Sequence, residues 1–343
     1  MAPSNISLLE YDKFNAWNQF VVNNSNATFF HLAQWKNVLQ RAFRAEPFYL
    51  YAHNKDKLTG ILPLALVYRP LFGEVLISTP FCVYGGAVSD DPDTVLYLEN
   101  AAMELARQHK VKYLELRYIN PTRHDWPVNT DYYKFGKPLS SDNEENFRSI
   151  PKRRRAEIRK SMSEKFECES DKGINRFFEI YARSLRDIGT PVYPRRYFEI
   201  LYDVFNEEIE ILVISKNNRD ICSLLSFYFG NQVHLYYIGG LPAARSLRAY
   251  DFVIWEQMKR ACNRGMNYFD LGRSIIGTGS YASKKTWGID PVPLNYQYYL
   301  VRAKEMPRIN PLNPRYRPFI RVWKRLPLPV ANYIGPVFSR IIA

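Results

Sequence analysis

The chain repeats one succession of sequence patterns, and this duplication restricts its fold more than any other feature. The run ATFFHLAQWKNVLQRAF at 27–43 aligns with GTPVYPRRYFEILYDVF at 189–205, so that Trp35 corresponds to Tyr197. Apolar residues recur at helical spacing toward the end of both runs. Two domains of the same fold are therefore predicted.

Both halves continue with a turn at the same offset. Lys55-Asp56 corresponds to Asn217-Asn218, and each turn separates two apolar alternating runs. Alternating runs joined by a short polar turn are typical of a β-hairpin. Each half is thus predicted to contain one.

At a slightly shorter offset, each half continues with a strand that ends in Gly-Gly, an apolar-periodic helix and a further strand. In the first half these are Tyr84-Gly85-Gly86, 93–109 and 111–117, and in the second half Ile238-Gly239-Gly240, 246–264 and 266–272. Each half therefore follows the order helix, helix, hairpin, strand, helix, strand, which predicts an α/β fold.

Net charge limits the partners. The formal charge is +13 over 343 residues and the pI is about 9.4. A basic balance favours nucleic acid, anionic lipid or a phosphorylated substrate as partner, with a merely solvated basic surface as the alternative.

Cysteine and histidine positions argue against a metal centre or a disulfide framework. The four cysteines lie far apart without a Cys-x-x-Cys pair, and the five histidines do not cluster near them. His234, in the strand pattern QVHLYYIGG, is expected to be structural, and no histidine is assigned to catalysis. The absence of a leader-like start and of a long apolar run predicts a cytoplasmic protein, with peripheral contact at the inner membrane an open alternative.

The two helix starts after the Gly-Gly strands differ in charge. Acidic residues at 89–93 precede the first helix, whereas Arg245 and Arg248 precede the second. Because a helix N-terminus attracts anions, the donor's phosphates are predicted to bind in the second half, at Arg245 and Arg248. The pyrophosphate signature Arg/Gln-x-x-Gly-x-Gly/Ala is missing from 239–248, and the similar run from Arg273 to Gly279 has one residue too many. Weak binding of acetyl-CoA is therefore predicted.

The segment 268–288, YFDLGRSIIGTGSYASKKTWG, carries the densest set of reactive groups. A strand is predicted to run into a glycine-rich loop, in which a lysine would be mobile unless an anionic group holds it. We assign proton acceptance to Asp270 or Tyr281, an oxyanion or phosphate contact to Lys284, and substrate binding to the remaining candidates, Arg273, Lys285 and Trp287. A structured loop with solvated lysines is the alternative reading.

A basic segment, PKRRRAEIRKSMSEK at 151–165, precedes the second half. At helical spacing Lys152, Arg155 and Arg159 share one face, and Arg155 and Arg159 are predicted to bind substrate. This helix could line a cleft between the halves, or it could be a solvated helix face.

The tail is basic and aromatic. Between 302 and 343 lysines and arginines alternate with aromatic and apolar residues, and prolines at 327, 329 and 336 interrupt the last apolar run. This pattern is typical of a segment that lies on an anionic bilayer without crossing it, and a tail packed on its own domain is the alternative.

The chain resembles the FemAB-related proteins of the GNAT superfamily. The resemblance rests on Arg248–Trp255, on FDLGRSIIGTGSYASKKTWGIDPVPLNYQYYL at 269–300 and on the basic PKRRRAEIRK run, and it is greatest to the subgroup associated with PEP-CTERM and exosortase systems. It implies tandem GNAT domains, with transfer of an acyl group or of an amino acid from aminoacyl-tRNA, and a role in exopolysaccharide or cell-envelope production.

We accordingly predict tandem duplicated GNAT domains at 1–147 and 148–305 and a basic tail at 306–343. The predicted activity acylates an amine, with acyl-CoA or aminoacyl-tRNA as donor and neither a metal nor a permanently bound cofactor. A non-catalytic GNAT-fold protein that binds a membrane-associated polysaccharide assembly system is the alternative. The sequence leaves the acceptor and the oligomeric state open.

Overall fold

The computed structural model describes residues 5–55, 57–70, 72–307, 310 and 312–340. They form two compact units. The first contains the chain up to Tyr132 and the segment that begins at Pro293, and the second contains Tyr133–Val292 and Asn310–Ser339.

The first unit combines a mixed sheet with helices. Its elements in chain order are β1 (Asn5–Leu8), α1 (Phe14–Asn23), α2 (Trp35–Phe43), β2 (Glu46–Asn54), β3 (Lys57–Arg69), β4 (Gly73–Ser78), β5 (Val88–Ser89), α3 (Pro92–Gln108), β6 (Tyr113–Tyr118) and β7 (Val128–Asn129).

The second unit contains the remaining elements except the last strand. They are β8 (Tyr132–Pro138), α4 (Asn143–Arg148), α5 (Lys152–Met162), β9 (Glu167–Asp171), α6 (Asn175–Ile188), α7 (Arg195–Val204), β10 (Ile209–Lys216), β11 (Arg219–Phe229), β12 (Gln232–Gly240), α8 (Pro242–Ser246), α9 (Ala249–Asn263), β13 (Tyr268–Ile275), α10 (Gly279–Lys285), β14 (Val292–Pro293), α11 (Arg317–Trp323) and α12 (Leu328–Ser339). The last strand, β15 (Asn295–Leu300), joins the sheet of the first unit.

The two sheets have related strand orders. The first runs β1-β2-β3-β4-β6-β15-β7, with β5 beside β3, and the second runs β14-β8-β13-β12-β11-β10-β9. In each, two antiparallel hairpin strands lead to a strand that pairs in parallel with the strand after the next helix: β4 with β6, and β12 with β13. The predicted duplication and the α/β class of both halves are confirmed.

Both predicted hairpins form. β10 and β11 join at Asn217 and Asn218, which both have positive φ, as expected of residues in a tight hairpin turn. In the first unit β2 pairs with β3 next to Lys55, while Asp56, the other half of the predicted turn, lies outside the described residues.

The core of the second unit follows the periodicity of its elements. Val233 and Leu235 of β12 and Phe269 and Leu271 of β13 are buried in a cluster with residues of α9. Because successive side chains of a strand point to opposite faces, the intervening His234 and Asp270 belong to the other face of the sheet.

Two expectations about element boundaries need correction. β4 ends at Ser78, so Tyr84-Gly85-Gly86 follows the strand in a buried irregular segment, whereas Gly240 does end β12. The helix predicted at 246–264 is interrupted at Arg248, which adopts positive φ between α8 and α9.

The domain boundaries also differ from the predicted 147/148 and 305/306. Phe135 and Leu139 are buried in the core of the second unit, which therefore includes the chain from Tyr133 onward. β15 pairs along its whole length with β6, so this strand belongs to the first unit. The sequence repeat marks equivalent segments but does not indicate which sheet a terminal strand joins.

The described part of the tail is folded on the second unit. Trp323 and Ala331 are buried, and the Ile320 side chain lies against Gly189. This agrees with the alternative in which the tail packs on its own domain; Arg308, one of the basic residues of the tail, lies outside the described residues. Within the described ranges, no helix has the length and apolar character needed to cross a membrane.

Candidate active site

The parallel strands of the second unit separate partway along their length. Residues 232–234 of β12 pair with 268–270 of β13, and the pairing stops at His234 and Asp270. β12 nevertheless continues to Gly240 and β13 to Ile275. Diverging carboxyl ends of parallel strands are where open α/β sheets bind ligands.

A bulge in β12 adds to this divergence. Leu235 pairs with Ser226 of β11 and Tyr237 pairs with Leu225, which leaves Tyr236 as an extra residue. A bulge bends a strand and increases its twist. The strand geometry thus opens the sheet directly beyond His234.

His234 and Asp270 form a buried pair at the last paired position. The imidazole Nδ1 lies 3.2 Å from Asp270 Oδ2, and both side chains are almost fully buried. In the tautomer that donates Nδ1–H to the carboxylate, Nε2 carries the lone pair and can accept a proton. Asp270 fixes both the orientation and the tautomer of the ring.

Asp270 is held in its ionised form. Burial alone would raise the pKa of its carboxyl, but the His234 hydrogen bond and charge, the Gly272 N–H and the charge of Lys134 together lower that pKa below the ordinary value. Gly272 N donates to Asp270 Oδ1 at 2.6 Å, and its φ of +72° is easily adopted only by glycine. Asp270 is therefore better suited to orient His234 than to accept a proton itself.

Lys284 lies on a helix rather than in the predicted loop. Thr278 caps α10 through its hydroxyl, and the Ser274 and Ser280 hydroxyls lie 2.8 Å apart. Lys284 Nζ donates to the Arg273 carbonyl at 2.8 Å. The side chain is thus anchored by a backbone carbonyl at the end of β13, whereas the sequence suggested that only an anionic group would hold it.

Burial makes the ammonium group of Lys284 easier to deprotonate. It lowers the pKa of the ammonium to about 8, with Arg273 acting in the same direction and Asp270 in the opposite one. The ammonium lies 5.8 Å from the centre of the Phe135 ring. A partly desolvated cation near the strand opening can stabilise negative charge more strongly than a solvated one.

Tyr281, a predicted proton acceptor, is half-buried against the core, and Trp287, a predicted substrate contact, belongs to the core. Tyr281 packs edge-on against the rings of Tyr133 and Phe135, at 5.5 and 5.3 Å between centroids. Trp287 is fully buried, with the Arg154 guanidinium 5.5 Å from its ring centroid. Trp287 therefore supports α10 from the core instead of offering an apolar surface to a substrate, while Lys285 is exposed.

The start of α9 is surrounded by ion pairs. Arg248 bonds Glu157 and Arg154 bonds Asp251, so α5 is tied to α9 within the second unit. An incoming phosphate would compete with these carboxylates for both arginines. Arg245 on α8 is exposed and carries no such pairing in the described structure.

The remaining basic candidates occupy different environments. Arg159 is exposed and lies over the Phe147 ring at 5.1 Å. Arg155 is half-buried, and its Nε is a buried donor without a hydrogen-bond partner among the described residues. The structure therefore groups Asp270, Arg273 and Lys284 at the end of β13, and leaves Arg155, Arg159 and Arg245 on α5 and α8.

Sequence reasoning missed His234, Lys134 and Phe135. One signal was present: Val-His-Leu at 233–235 and Phe-Asp-Leu at 269–271 each place one polar residue between buried apolar ones. Two such triplets on adjacent parallel strands bring their polar residues together. Lys134 and Phe135 lie on β8, and no local sequence pattern indicates that β8 pairs beside β13 and brings them to this site.

Comparisons with known proteins identify the region that contains this site. Residues 145–285 match the model of the acetyltransferase (GNAT) domain. This range spans α5 to α10 and includes His234, Asp270 and Lys284. A search of the curated proteins found no match.

The chain is similar to several solved structures at low sequence identity. It matches the structure of FemX with a TM-score of 0.64 and 13% identity, over 87% of this chain and 98% of that one. It matches the C-terminal domain of a putative lysylphosphatidylglycerol synthetase from Agrobacterium fabrum with a TM-score of 0.55 and 11% identity, over 84% and 91%. A tandem GNAT protein from the clavulanic acid biosynthesis pathway matches with a TM-score of 0.56 and 8% identity, over 89% and 100%. These likenesses establish the tandem GNAT fold.

Proposed function

We propose that the second unit transfers an acyl or aminoacyl group to an amine, with His234 as the proton acceptor. The observation that carries this proposal is the buried His234–Asp270 pair at the point where β12 and β13 separate. A histidine held by a carboxylate is a common general base near neutral pH. The match of residues 145–285 to the acetyltransferase domain supports the same reaction class.

The chemistry follows from these groups. The amine nitrogen attacks the donor's carbonyl carbon, and a new C–N bond forms as the carbonyl becomes a tetrahedral oxyanion. His234 Nε2 takes the proton from the attacking nitrogen, directly or through water, and Asp270 stabilises the resulting imidazolium. The C–S or C–O bond to the leaving group then breaks, and the proton passes to the departing thiolate or alkoxide. In this scheme Lys284 balances the negative charge of the oxyanion.

For the donor, we favour an aminoacyl ester over acetyl-CoA. The pyrophosphate signature is missing from 239–248, and the arginines near the start of α9 are paired with Glu157 and Asp251. Both features weaken the binding of a diphosphate at this helix start. The names of FemX and the lysylphosphatidylglycerol synthetase, together with the FemAB resemblance, favour an acceptor used in exopolysaccharide or cell-envelope production.

A donor-consumption assay tests the proposal. The full-length protein is incubated with radiolabelled aminoacyl-tRNAs or with acyl-CoAs and a panel of amines, and product is measured by scintillation. Because His234 is the proposed proton acceptor, His234→Ala should lower kcat/KM by roughly 100- to 10,000-fold. Exposed His124 is the matched control, and His124→Ala should leave the rate unchanged.

Asp270→Asn separates orientation from folding. The amide can support the wrong imidazole tautomer, so the rate should fall and its dependence on pH should change while the protein still folds. If no donor is consumed although one binds, the second unit is a non-catalytic binding domain of a polysaccharide assembly system. Near-parental rates in His234→Ala would instead remove His234 from the mechanism.

A further inference from the structure

The helices α11 and α12 form a pair that is anchored on the second unit. Phe338 of α12 packs against Phe319 and Trp323 of α11, with ring centroids 5.3 and 5.6 Å apart. Gly335 sits against the backbone of Val192, and Arg186 donates to the Leu326 carbonyl at 2.8 Å. The pair is therefore a folded surface, not a loose extension.

The outward side of this pair is apolar. In α12 the inward residues Ala331, Gly335 and Ser339 are buried at a spacing of one helical turn. On the opposite side, Tyr333 is 86% exposed and Val337 57% exposed. A surface helix normally exposes polar side chains to water, whereas this side of α12 exposes large apolar ones.

α11 extends the same kind of surface. Val322 is 62% exposed, whereas the following residue, Trp323, is buried. Arg321 is exposed on α11 beside Val322, and Arg325 is exposed in the turn that follows the helix, where its N–H bonds to the Val322 carbonyl. Ile320 of α11 contacts Gly189 and Gly335 of α12 contacts Val192, and helical spacing places Val322 and Val337 roughly opposite these two contacts.

The charge of this region selects the kind of partner. Residues 306–343 contain seven lysines and arginines and no aspartate or glutamate. If two copies of this surface met across a two-fold axis, cations would face cations without a carboxylate between them. An anionic partner with an apolar layer beneath its charges complements the surface instead.

We propose that the outward side of α11 and α12 docks on an anionic lipid membrane. Val322, Tyr333 and Val337 enter the interface between headgroups and acyl chains, where a tyrosine ring with its hydroxyl is well accommodated. Arg321 and Arg325 contact lipid phosphates. The protein lies on the bilayer and does not span it.

Vesicle flotation tests this proposal without any donor or acceptor, so its result is independent of the proposed transfer reaction. The full-length protein is mixed with vesicles of phosphatidylcholine alone or of phosphatidylcholine with the anionic lipid phosphatidylglycerol. Binding to anionic vesicles should fall at least about tenfold in the triple variant Val322→Ser/Tyr333→Ser/Val337→Ser. The double variant Arg321→Gln/Arg325→Gln should bind more weakly and lose much of its salt sensitivity.

The matched control is Val22→Ser/Tyr68→Ser, which removes two apolar side chains of the first unit that are 66% and 63% exposed. This control should bind vesicles like the parent. The proposal is overturned if the triple variant binds as the parent does, or if the parent does not bind anionic vesicles. It is also overturned if light scattering shows that the triple substitution only converts a dimer to a monomer, because a second copy would then cover this surface.

Discussion

The parallel-strand junctions of the two units have the same topology but different contents. In the first unit, β4 ends at Ser78 and the buried segment 79–87 lies beyond it. The Gly86 N–H donates to the Arg117 carbonyl at 3.0 Å, and the Tyr296 hydroxyl donates to the Val83 carbonyl at 2.8 Å. In the second unit β12 continues as a strand to Gly240. Duplication has thus produced one junction filled by its own chain and one, which we call the open junction, where both strands continue past their last parallel pair.

The acidic residues at the two junctions show the same division. The last parallel pair is Ile77 with Glu115 in the first unit and His234 with Asp270 in the second. Glu115 accepts hydrogen bonds from Arg117 Nε at 2.8 Å and from Arg69 at 3.4 Å, and all three side chains are buried. Glu115 is therefore part of a structural charge cluster, whereas Asp270 bonds His234, the base in our proposal.

The helices that follow these junctions also differ. Asp91 caps α3 by accepting the N–H groups of Asp93 and Thr94, and the Thr94 hydroxyl bond helps to lower the pKa of the Asp91 carboxyl. No side chain caps α9 in the described structure, and its first residues follow the positive-φ Arg248. The first unit thus satisfies its helix start internally, which supports our placement of the transfer chemistry in the second unit.

The largest effect on stability is expected in the filled junction. Glu115→Gln leaves the buried Arg69 and Arg117 without their carboxylate, and loss of one partner of a buried ion pair costs about 3–5 kcal/mol of the free energy of unfolding. Urea denaturation measures this loss. Glu104→Gln removes an exposed carboxylate paired with Arg107 and should leave the urea midpoint unchanged. Equal midpoints for both variants would show that the Glu115 cluster does not hold the first unit together.

A smaller effect, on rate, is expected in the open junction. Lys284→Met removes the cation but retains most of the side-chain volume, so kcat/KM should fall roughly 100- to 1000-fold because the oxyanion loses its counter-charge. Lys285, the next residue, is exposed, and Lys285→Met should keep the parental rate. Lys284→Arg should recover part of the loss. Parental rates in Lys284→Met would leave Lys284 with only the role of anchoring α10.

The pH dependence of this variant checks the same residue. Folding lowers the pKa of Lys284 from 10.5 to about 8, so the rate of the parent should decline above pH 8 and this decline should be absent in Lys284→Met. The stability of the folded protein should change with pH in the opposite direction to the rate. The folded state binds the proton less tightly than the unfolded state, so the parent should gain stability relative to Lys284→Met as pH rises from 8 toward 10.5.

The sequence predicted the tandem fold because strand and helix periodicities survive in both halves. It also singled out the end of β13, since Asp270, Arg273 and Lys284 lie within one segment. It did not predict that Lys284 is anchored, because the Arg273 carbonyl becomes an acceptor only when α10 folds back on β13. The role of His234 was missed because its partner, Asp270, lies on a neighbouring strand thirty-six residues along the chain. Such pairings depend on strand register, which single-strand patterns do not specify.

The filled and open junctions should also respond differently to one added methyl group. A Cβ on Gly86 would lie 2.1 Å from the Tyr118 ring, and this ring is fixed because its hydroxyl donates to Glu99 at 2.7 Å and accepts the Ala87 N–H at 3.0 Å. Overpacking of this kind costs about 1–3 kcal/mol, so Gly86→Ala should lower the urea midpoint.

Gly279, the first residue of α10, is the matched control for this substitution. A Cβ added there would meet no atom of the described residues within 4 Å, and Gly279→Ala should be neutral or stabilise by up to about 1 kcal/mol. Neither variant touches His234, so folded Gly86→Ala should retain the parental kcat/KM. If Gly86→Ala unfolds at the parental urea midpoint, segment 79–87 accommodates the added methyl group at little cost in stability. The contrast between the two junctions would then rest on the Glu115 cluster alone.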